Sequence, residues 1–368
     1  MPARPLDGVR VLDLTTLLPG PLATLILAEA GAKVVKIERP GGDDMRHYPP
    51  LWGGDGALFA LLNRGKTSLV LDLKTEADRD RLLAMLPEFD VLVEQFRPGV
   101  MARLGLGRER LHAVNPRLVV CAITGYGQTG PKAQRAGHDL NYMAETGLLG
   151  LTDRGDGAPA MPPVLTADIG GGSLPAVLNI LLALRLAERT GTGAFLDVAM
   201  SDNLFTFAFW AIATRAADGR DPTPGGEIFT GGSPRYQIYR TADDRFLAAA
   251  PLEQKFWERF AELIGLPPPL RDDGRDPAAT IRAVAGIMAS APSHHWQRLF
   301  EGEDVCCSIV ATFGEAMAEP HVASRHLFDA EILGPAGRLP ALPVPLAPAL
   351  AAPTGPAPFP STAAPADD

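Results

Sequence analysis

Two residues of this sequence, His138 and Asp168, are of types that exchange protons, and they stand where a ligand could reach them. His138 follows an arginine- and glycine-rich loop after a predicted strand, where side chains of parallel sheets face ligand crevices. Asp168 precedes a Gly-Gly-Gly-Ser turn and a predicted helix, so amide donors and the helix dipole are expected to favour its ionised form. Together the two residues indicate acid–base chemistry.

Both residues also have structural interpretations, since a lone histidine is usually a satisfied structural residue and aspartate is a frequent helix N-cap. The sequence predicts neither a metal site nor a serine hydrolase. It contains no HExxH motif or paired-carboxylate spacing for a metal, and no GxSxG motif for a nucleophilic serine. Four histidines of the C-terminal part form no metal set and are predicted on helix surfaces: His294, His295, His321 and His326.

Composition restricts the class of protein. The 368 residues exceed the usual size of one core, which predicts two domains. Hydrophobic residues make up 46% and charged residues 21%, which are ordinary values for a globular protein. A net charge of −9 argues against nucleic acid as a partner, because neutralising phosphates needs a basic surface.

The cysteines and apolar segments predict a soluble, cytoplasmic protein. Cys121, Cys306 and Cys307 have neither disulfide nor zinc spacing, which indicates a reducing compartment. The first residues lack the apolar region of a signal peptide. The most apolar stretch, Leu174–Ala187, is too short to span a bilayer and includes Arg185, so it is predicted to be a buried helix.

The N-terminal part alternates strand and helix patterns. A Pro-Gly-Pro turn at Pro19–Pro21 leads into a helix over Ala23–Ala30, and a second helix is predicted over Thr75–Leu86. This succession predicts an α/β fold with a doubly wound, mostly parallel sheet and right-handed crossovers. The predicted strands are Val9–Thr15, Lys33–Glu38, Ser68–Leu73, Val91–Glu94 and Leu118–Ile123.

A dinucleotide-binding fold with Glu38 on a ribose is the obvious alternative for this pattern. The first turn, however, reads LLPGPLA instead of GxGxxG, and its prolines remove amide donors that a pyrophosphate needs. NAD binding is therefore not expected.

The pattern changes after Asp168, where a helix over Leu174–Arg189 and a strand over Phe195–Ala199 are predicted. A glycine-rich, mobile loop over Gly225–Pro234 precedes a hairpin of Tyr236–Arg240 and Phe246–Ala250. From Pro335 the chain is rich in proline and alanine and is expected to be extended and partly disordered. The predicted domains are a large domain over 1–200, completed by 325–350, a small α+β domain over 225–320, and a tail over 351–368.

The sequence GHDLNY at Gly137–Tyr142 resembles the α-methylacyl-CoA racemases, members of the family III CoA-transferase superfamily with its CaiB/BaiF-like proteins. The resemblance covers nearly the whole chain, from LDGVRVLDL to EPHVASRHLF. Further motifs that carry it are LPGPLAT at 18–24, VVKIERPGGDD at 34–44, NRGKTSLVLDLK at 63–74, FRPGVMARLGL at 96–106, TGYGQTGP at 124–131 and GGSPRYQIYRTADDRFLA at 231–248.

The resemblance implies a Rossmann-like large domain without a nucleotide fingerprint, a smaller α+β domain and an interlocked homodimer. In that family the acyl-CoA thioester lies between the large domain of one subunit and the small domain of the other. It implies no cofactor beyond the coenzyme A of the substrate, and it implies neither membrane nor nucleic acid as a partner.

Inverting the α-carbon of a thioester needs a base and an acid on opposite faces, with help for the enolate oxygen. The resemblance assigns these roles to His138 and Asp168, which have the family's spacing. It assigns Glu253 the role of orienting and charging the histidine. The family's usual proline after this glutamate is replaced by Gln254, so an ordinary surface glutamate remains an alternative.

The resemblance also implies contacts with the substrate. Arg39 matches the arginine at the adenine–phosphate end of CoA and Arg97 is a second candidate, because a guanidinium fork suits phosphate. A surface salt bridge is the alternative for each arginine. The remaining candidates lie along the CoA path or near the thioester: Leu71, Asp72, Leu73, Lys74, Gly137, Asp139, Leu140, Asn141 and Tyr142.

The sequence therefore predicts a racemase or epimerase of 2-methylacyl-CoA thioesters, with two alternatives. A family III CoA-transferase, working through an acyl anhydride on Asp168, is favoured by the extra stretch Met45–Leu62, which the shorter racemases lack. A catalytically idle CoA-binding homologue is suggested only by the changed neighbourhood of Glu253.

Overall fold

The computed structural model describes residues 3–334, 336–351, 355–360 and 362–363. The chain divides into two compact units. The first comprises Met1–Thr146, Pro163–Phe207 and Ala323–Asp368, and the second comprises Gly147–Pro162 and Ala208–Val322. The chain therefore leaves the first unit twice and returns twice, and the segment Gly147–Pro162 belongs to the second unit rather than to the large domain.

The first unit is built on a parallel sheet of six strands, which confirms the predicted α/β class. The spatial order is β3-β2-β1-β4-β5-β6, the doubly wound order in which the sheet is extended first to one side and then to the other. The short strand Thr362–Ala363 pairs with the outer edge of β3. The strands are β1 (Arg10–Leu14), β2 (Lys33–Glu38), β3 (Thr67–Val70), β4 (Val91–Glu94), β5 (Val119–Thr124) and β6 (Phe195–Ala199).

Helices connect these strands and cover the sheet. They are α1 (Pro19–Glu29), α2 (Ala57–Asn63), α3 (Glu76–Met85), α4 (Val100–Arg103), α5 (Arg108–Val114), α6 (Asp139–Glu145), α7 (Leu174–Thr190) and α8 (Met200–Leu204). Short 3-10 turns occupy Asp44–His47, Leu86–Glu88 and Phe205–Ala208, and a π-helical segment occupies Ala167–Ser173. One core lies under α3 and α5, where leucines of β1, β4 and the helices are fully buried.

The predicted Pro-Gly-Pro turn is wrong, because helix α1 already begins at Pro19. Proline is tolerated in the first helical turn, since the amide hydrogen that it lacks would have no partner inside the helix. Gly20 and Pro21 are buried in this turn, so the segment after β1 packs closely instead of forming an open loop.

The helix predicted over Leu174–Arg189 is confirmed as α7, but the expectations that its apolar stretch is short and buried are wrong. The π-helical segment runs directly into α7, giving 24 continuous helical residues over Ala167–Thr190, of which the most apolar window is 33% buried. By length and composition this helix could cross a membrane, a test that core helices of soluble proteins also pass. Leucines with the spacing of one helix face are exposed: Leu174, Leu178, Leu181, Leu182 and Leu186.

Buried charges join the carboxyl ends of β1 and β2 to α1. The Lys66 ammonium lies 3.0 Å from the Asp13 carboxylate and donates to the Thr24 hydroxyl at 2.8 Å, and all three side chains are buried. Burial would raise the pKa of Asp13, but the charges of Lys66 and Lys36 outweigh it, and the net pKa is lowered. Lys66, the last residue of the NRGK motif, lies directly before β3 and therefore connects β3 to β1 and α1.

The second unit has an antiparallel sheet of β7 (Gln237–Arg240), β8 (Phe246–Ala249) and β9 (Cys307–Ile309) in the order β9-β8-β7, which confirms the predicted hairpin. Its core is formed by aromatic residues such as Trp257, Phe260 and Trp296. The loop predicted over Gly225–Pro234 contains a 3-10 turn at Ile228–Thr230. The remaining helices are α9 (Phe209–Asp218), α10 (Gln254–Leu263), α11 (Pro277–Met288), α12 (Ser293–Phe300), α13 (Phe313–Ala318) and α14 (Pro320–Ser324).

The C-terminal segment forms a small sheet in the order β11-β10-β12, with β10 (Glu331–Gly334), β11 (Gly337–Pro340) and β12 (Pro356–Pro358). Phe359 then packs 6.1 Å from the ring of Phe59. The expected disorder from Pro335 onward is therefore wrong for these strands. The expectation for 335, 352–354, 361 and 364–368 lies outside the described residues.

The Asp13–Lys66 pair predicts a large loss of stability when one charge is removed. Lys66→Met leaves the Asp13 carboxylate buried without its nearest cation, and we expect the free energy of unfolding to fall by about 3–5 kcal/mol. Arg240→Ala is the control, because this residue pairs with Asp244 on the exposed surface and its loss should cost little. Denaturant unfolding measures both, and equal effects would contradict the prediction.

Candidate active site

His138 is the residue immediately before α6, and its backbone is extended, with φ −127° and ψ 174°. Its amide donates to the Asn141 side-chain oxygen at 3.0 Å, while its carbonyl accepts from the Asn141 amide at 2.8 Å. Its imidazole is exposed, as is the side chain of Leu140. Asn141, a predicted substrate contact, thus fixes the turn that presents the histidine.

The ring of Tyr142 supports this turn from beneath. It is 5% exposed, its hydroxyl donates to the Gly137 carbonyl at 2.6 Å, and it packs edge-on to Tyr126 at 5.2 Å. A Cβ at position 137 would come within 2.7 Å of the ring, which explains the glycine before His138. Burial, followed by the Asp168 carboxylate, raises the pKa of Tyr142 to about 12, so the phenol stays neutral.

Asp168 is the second residue of the π-helical segment and is not a helix N-cap. The Gly-Gly-Gly-Ser sequence that was predicted to be a turn forms the last four residues of the same segment. A Cβ at Gly171 would come within 2.5 Å of the Met200 carbonyl oxygen, so only glycine allows this approach to α8. The Ser173 hydroxyl donates to the Pro19 carbonyl at 2.8 Å. The segment therefore lies against the start of α1, which follows the central strand β1. Single π-helical turns occur frequently at functional sites.

One side chain joins the histidine turn to this segment. Asp139, the first residue of α6, is 5% exposed, and its Oδ1 atom accepts the amide hydrogens of Ala167 at 2.6 Å and Asp168 at 3.0 Å. The backbone after His138 is thus tied directly to the backbone at Asp168. What the structure shows for Asp139 is this bond; its contact with a substrate stays a prediction.

The prediction that Asp168 favours its ionised form is wrong. Its half-buried carboxyl has a pKa raised to about 6, first by burial and then by the nearby charge of Asp139, while the charge of His138 acts in the lowering direction. The amide hydrogens of Ala167 and Asp168 are accepted by Asp139. The structure therefore brings His138 and Asp168 close enough to interact electrostatically.

The residues proposed for CoA lie at other positions of the first unit. Arg39 is exposed and pairs with Asp44, which is the surface salt bridge considered as its alternative. Arg97 is exposed, and its charge lowers the pKa of Tyr142, so it lies toward the histidine turn. The stretch Leu71–Lys74 follows β3, and its only buried member is Leu71. Their contacts with CoA stay predictions.

Glu253 belongs to the second unit, where it is the exposed residue before α10. Gln254, which stands in place of the family's usual proline, accepts a hydrogen bond from Arg235 at 2.8 Å. Arg235 also bonds the Leu252 carbonyl at 3.2 Å, so the residues on both sides of Glu253 are held in place. Its proposed action on the histidine stays a prediction.

Sequence reasoning overlooked Glu94, which ends β4 next to β1 and is 5% exposed. Burial raises its pKa to about 7, although it accepts the Phe96 amide hydrogen at 2.7 Å. The sequence did contain a signal for Glu94, because a carboxylate ends the otherwise apolar strand Val91–Glu94. A buried carboxylate of this kind is a candidate for a functional role. Within the described residues, no group of three or more His, Cys, Asp and Glu side chains is placed to hold a metal ion.

The raised pKa of Asp168 predicts how stability depends on pH. Between about pH 4 and pH 6 the folded state holds a proton that the unfolded state has lost, so stability falls as pH rises through this range. Asp168→Asn removes this effect, and we expect the variant to be more stable than wild type by about 2 kcal/mol above pH 7. The difference should vanish near pH 3.5 in denaturant unfolding. A constant difference at all pH values would contradict the raised pKa.

Known proteins resemble this chain along nearly its full length. Residues 6–362 match the model of CoA-transferase family III. Alpha-methylacyl-CoA racemase of Homo sapiens is 35% identical over 326 residues, which are 88% of this chain and 82% of the relative. Acetyl-CoA:oxalate CoA-transferase of Acetobacter aceti is 35% identical over 336 residues, with coverage of 89% and 86%. A CAIB/BAIF family protein from Brucella suis has a crystal structure with a TM-score of 0.80 at 29% identity, covering 94% and 92% of the two chains.

The extent of these matches confirms the resemblance found in the sequence motifs. Relatives named as racemases and relatives named as CoA-transferases match the chain at similar identity, so identity alone does not separate the two reactions. Both kinds of relative are enzymes that are named for an acyl-CoA thioester. The chain described here therefore belongs to CoA-transferase family III and is an enzyme of the racemase or CoA-transferase type.

Proposed function

We propose that the protein is an acyl-CoA racemase that interconverts the (R) and (S) epimers of 2-methylacyl-CoA thioesters. The observation that carries this proposal is the placement of an imidazole and a proton-holding carboxyl on two segments joined by Asp139. His138 removes the α-proton of one epimer, and the electron pair of the broken C–H bond moves onto the thioester oxygen. Asp168 then donates its proton to the opposite face of the carbon, and the roles reverse for the other epimer.

The raised pKa of Asp168 suits proton transfer, because it lies nearer to neutral pH than that of an ordinary aspartate. A pKa of about 6 leaves part of the population protonated near neutral pH, as an acid requires. A CoA-transferase needs the same residue as an ionised carboxylate that attacks the thioester carbon, and a pKa of about 6 supplies that form as well near neutral pH. His138 supports the racemase as well, because an anhydride mechanism on Asp168 needs no imidazole.

CoA-transferase is the second candidate, and it is favoured by the stretch Met45–Leu62. This stretch folds as part of the 3-10 turn Asp44–His47, a two-stranded ladder of Leu51–Trp52 with Asp55–Gly56, and most of α2. In this reaction Asp168 would attack the thioester carbon and form an aspartyl-acyl anhydride with loss of CoA thiolate. The thiolate would attack the aspartyl carbonyl, which releases the donor acid and leaves CoA on Asp168 as a thioester. The acceptor carboxylate would then attack this thioester, and the displaced thiolate would attack the acceptor's carbonyl, which gives the new acyl-CoA and frees Asp168. The two reactions use one carboxyl group in different protonation states.

We expect deuterium to appear at the α-carbon when the purified protein is incubated with a 2-methylacyl-CoA in D2O without any acceptor acid. His138→Gln and Asp168→Asn should each slow this exchange about 10²- to 10⁴-fold, because each removes one proton-transfer group. His294→Gln is the matched control, since this histidine is exposed on α12 of the second unit. Mass spectrometry and NMR of the recovered thioester measure the label.

Two results would contradict the racemase. Transfer of CoA to an added carboxylic acid with no label at the α-carbon would instead support the transferase. Thermal stabilisation by acyl-CoA with neither label nor transfer would support an idle CoA-binding protein.

We further propose that the enzyme acts in the cytoplasm, with no cofactor beyond the CoA of its substrate, and with neither nucleic acid nor membrane as a partner. Its three free cysteines suit a reducing compartment.

We also propose that the protein is a homodimer, as the resemblance to the racemases suggests. The exposed leucines of α7 form one apolar stripe, and Phe205 and Phe207 after α8 are exposed too. Soluble monomers seldom leave such a patch in water, so a second copy of the chain is the expected cover.

Leu178→Glu with Leu182→Glu should shift the protein from dimer to monomer in sedimentation velocity. The control is Gln297→Glu, which adds a charge on the exposed face of α12 away from the stripe and should leave the dimer intact. A wild-type monomer at micromolar concentration would contradict the homodimer, and so would binding of the monomer to lipid vesicles through these leucines.

A further inference from the structure

We propose that Asp139 is a positioning residue that makes His138 and Asp168 a single acid–base unit, by fixing the backbone at Asp168 and by keeping a proton there with its negative charge. This inference rests on the proposed racemase chemistry, in which the two residues act on one carbon. It assigns Asp139 an action on Asp168 instead of on the substrate.

The geometry supports the positioning part of the proposal. One oxygen of a buried carboxylate accepts two consecutive amide hydrogens, those of Ala167 and Asp168, at 2.6 and 3.0 Å. Asp139 follows His138 directly in the chain. A displacement of the backbone at His138 is therefore transmitted through the two hydrogen bonds to the backbone at Asp168. Reacting groups need placement within fractions of an ångström, which a shared support of this kind provides.

The charges around Asp168 support the second part. Asp139 is buried next to Asp168, and its negative charge acts to raise the pKa of the Asp168 carboxyl. Within the described residues, no cation forms an ion pair with Asp139. The other titratable groups that act with Asp168 are His138, whose charge has the opposite effect, and the neutral phenol of Tyr142.

This arrangement suits a reversible proton transfer. A racemase needs Asp168 to hold a proton in one direction and to lack it in the other, which requires a pKa nearer to neutral than that of an ordinary aspartate. Burial contributes most of the raised pKa and Asp139 contributes the next part. Without the charge of Asp139, Asp168 would be ionised more completely and would donate a proton less often.

Three variants separate the positioning part from the charge part. Asp139→Asn keeps an oxygen acceptor for the two amides and removes the charge, whereas Asp139→Ala removes both. Asp197→Asn is the matched control, because this carboxylate also accepts a backbone amide, that of Gln128 at 2.9 Å, in the same unit. Melting temperatures of all three show which of them remain folded.

The first measurement is the pH profile of α-proton exchange in D2O. For Asp139→Asn we expect the basic limb, on which activity falls as Asp168 loses its proton, to move to lower pH. We expect kcat at pH 7 to fall about tenfold for each unit of that movement, with KM for the acyl-CoA unchanged. Asp139→Ala should show the same movement and a lower melting temperature. Asp197→Asn should match wild type. An unchanged profile for Asp139→Asn would overturn the proposal.

The second measurement does not depend on activity. Carbon NMR of protein labelled at the aspartate carboxyl carbons should show a resonance that titrates near pH 6 and is absent from Asp168→Asn. In Asp139→Asn it should titrate at lower pH, and in Asp197→Asn it should not move. If wild type shows no exchange, the proposed function fails, while this titration still tests the action of Asp139 on Asp168. Equal titration in Asp139→Asn and wild type would overturn it.

Discussion

The carboxylate of Asp139 accepts the amide hydrogens of Ala167 and Asp168, and the arrangement of the candidate site depends on these two bonds. They bring together a turn that follows β5 and a segment that precedes α7, although 28 and 29 positions separate the bonded residues. Close packing fixes the same region from other sides. Tyr142 lies under the histidine turn, and Gly171 lets the π-helical segment approach α8. Each candidate catalytic side chain is thus exposed or half-buried above a buried support.

The other polar feature of the first unit is the set of buried charges at the carboxyl ends of β1 and β2. Asp13 bonds Lys66, while Lys36 lies 3.0 Å from Asp43 and donates to the Thr15 carbonyl at 2.6 Å. Removing ions from water is unfavourable, and the mutual attraction of such pairs offsets this only when hydrogen bonds satisfy the remaining atoms. In this sheet the loop after β1 supplies those bonds, so its path is specified by polar contacts as well as by packing.

The central fold could be predicted from sequence because its signals are local. Lys33–Glu38, Val91–Glu94 and Phe195–Ala199 are short apolar runs between turns, and the structure has strands at these same bounds. The start of α1 was missed because proline usually marks a turn, and it is equally compatible with a first helical turn.

The errors near the site have a different origin. A π-helical segment at Ala167–Ser173 exists because glycine packs against Met200, a contact that no local pattern reveals. The pKa of Asp168 was misjudged because the local sequence pattern reveals neither its burial nor the nearby charge of Asp139, which is distant in sequence. The pair of catalytic candidates itself came from the resemblance of GHDLNY to a known family, not from spacing alone. Glu253 lies in the other unit, and sequence and structure leave its role a proposal.

The division of the chain has a consequence for biosynthesis. The first unit is assembled from three separate stretches, and the strand Thr362–Ala363, which pairs with the edge of β3, comes from the last of them. While the ribosome is still translating the middle of the message, β3 has an open edge with unpaired backbone groups, which is a template for aggregation. The inserted second unit is complete earlier. A chain without Thr362–Ala363 would therefore leave the outer edge of β3 unpaired.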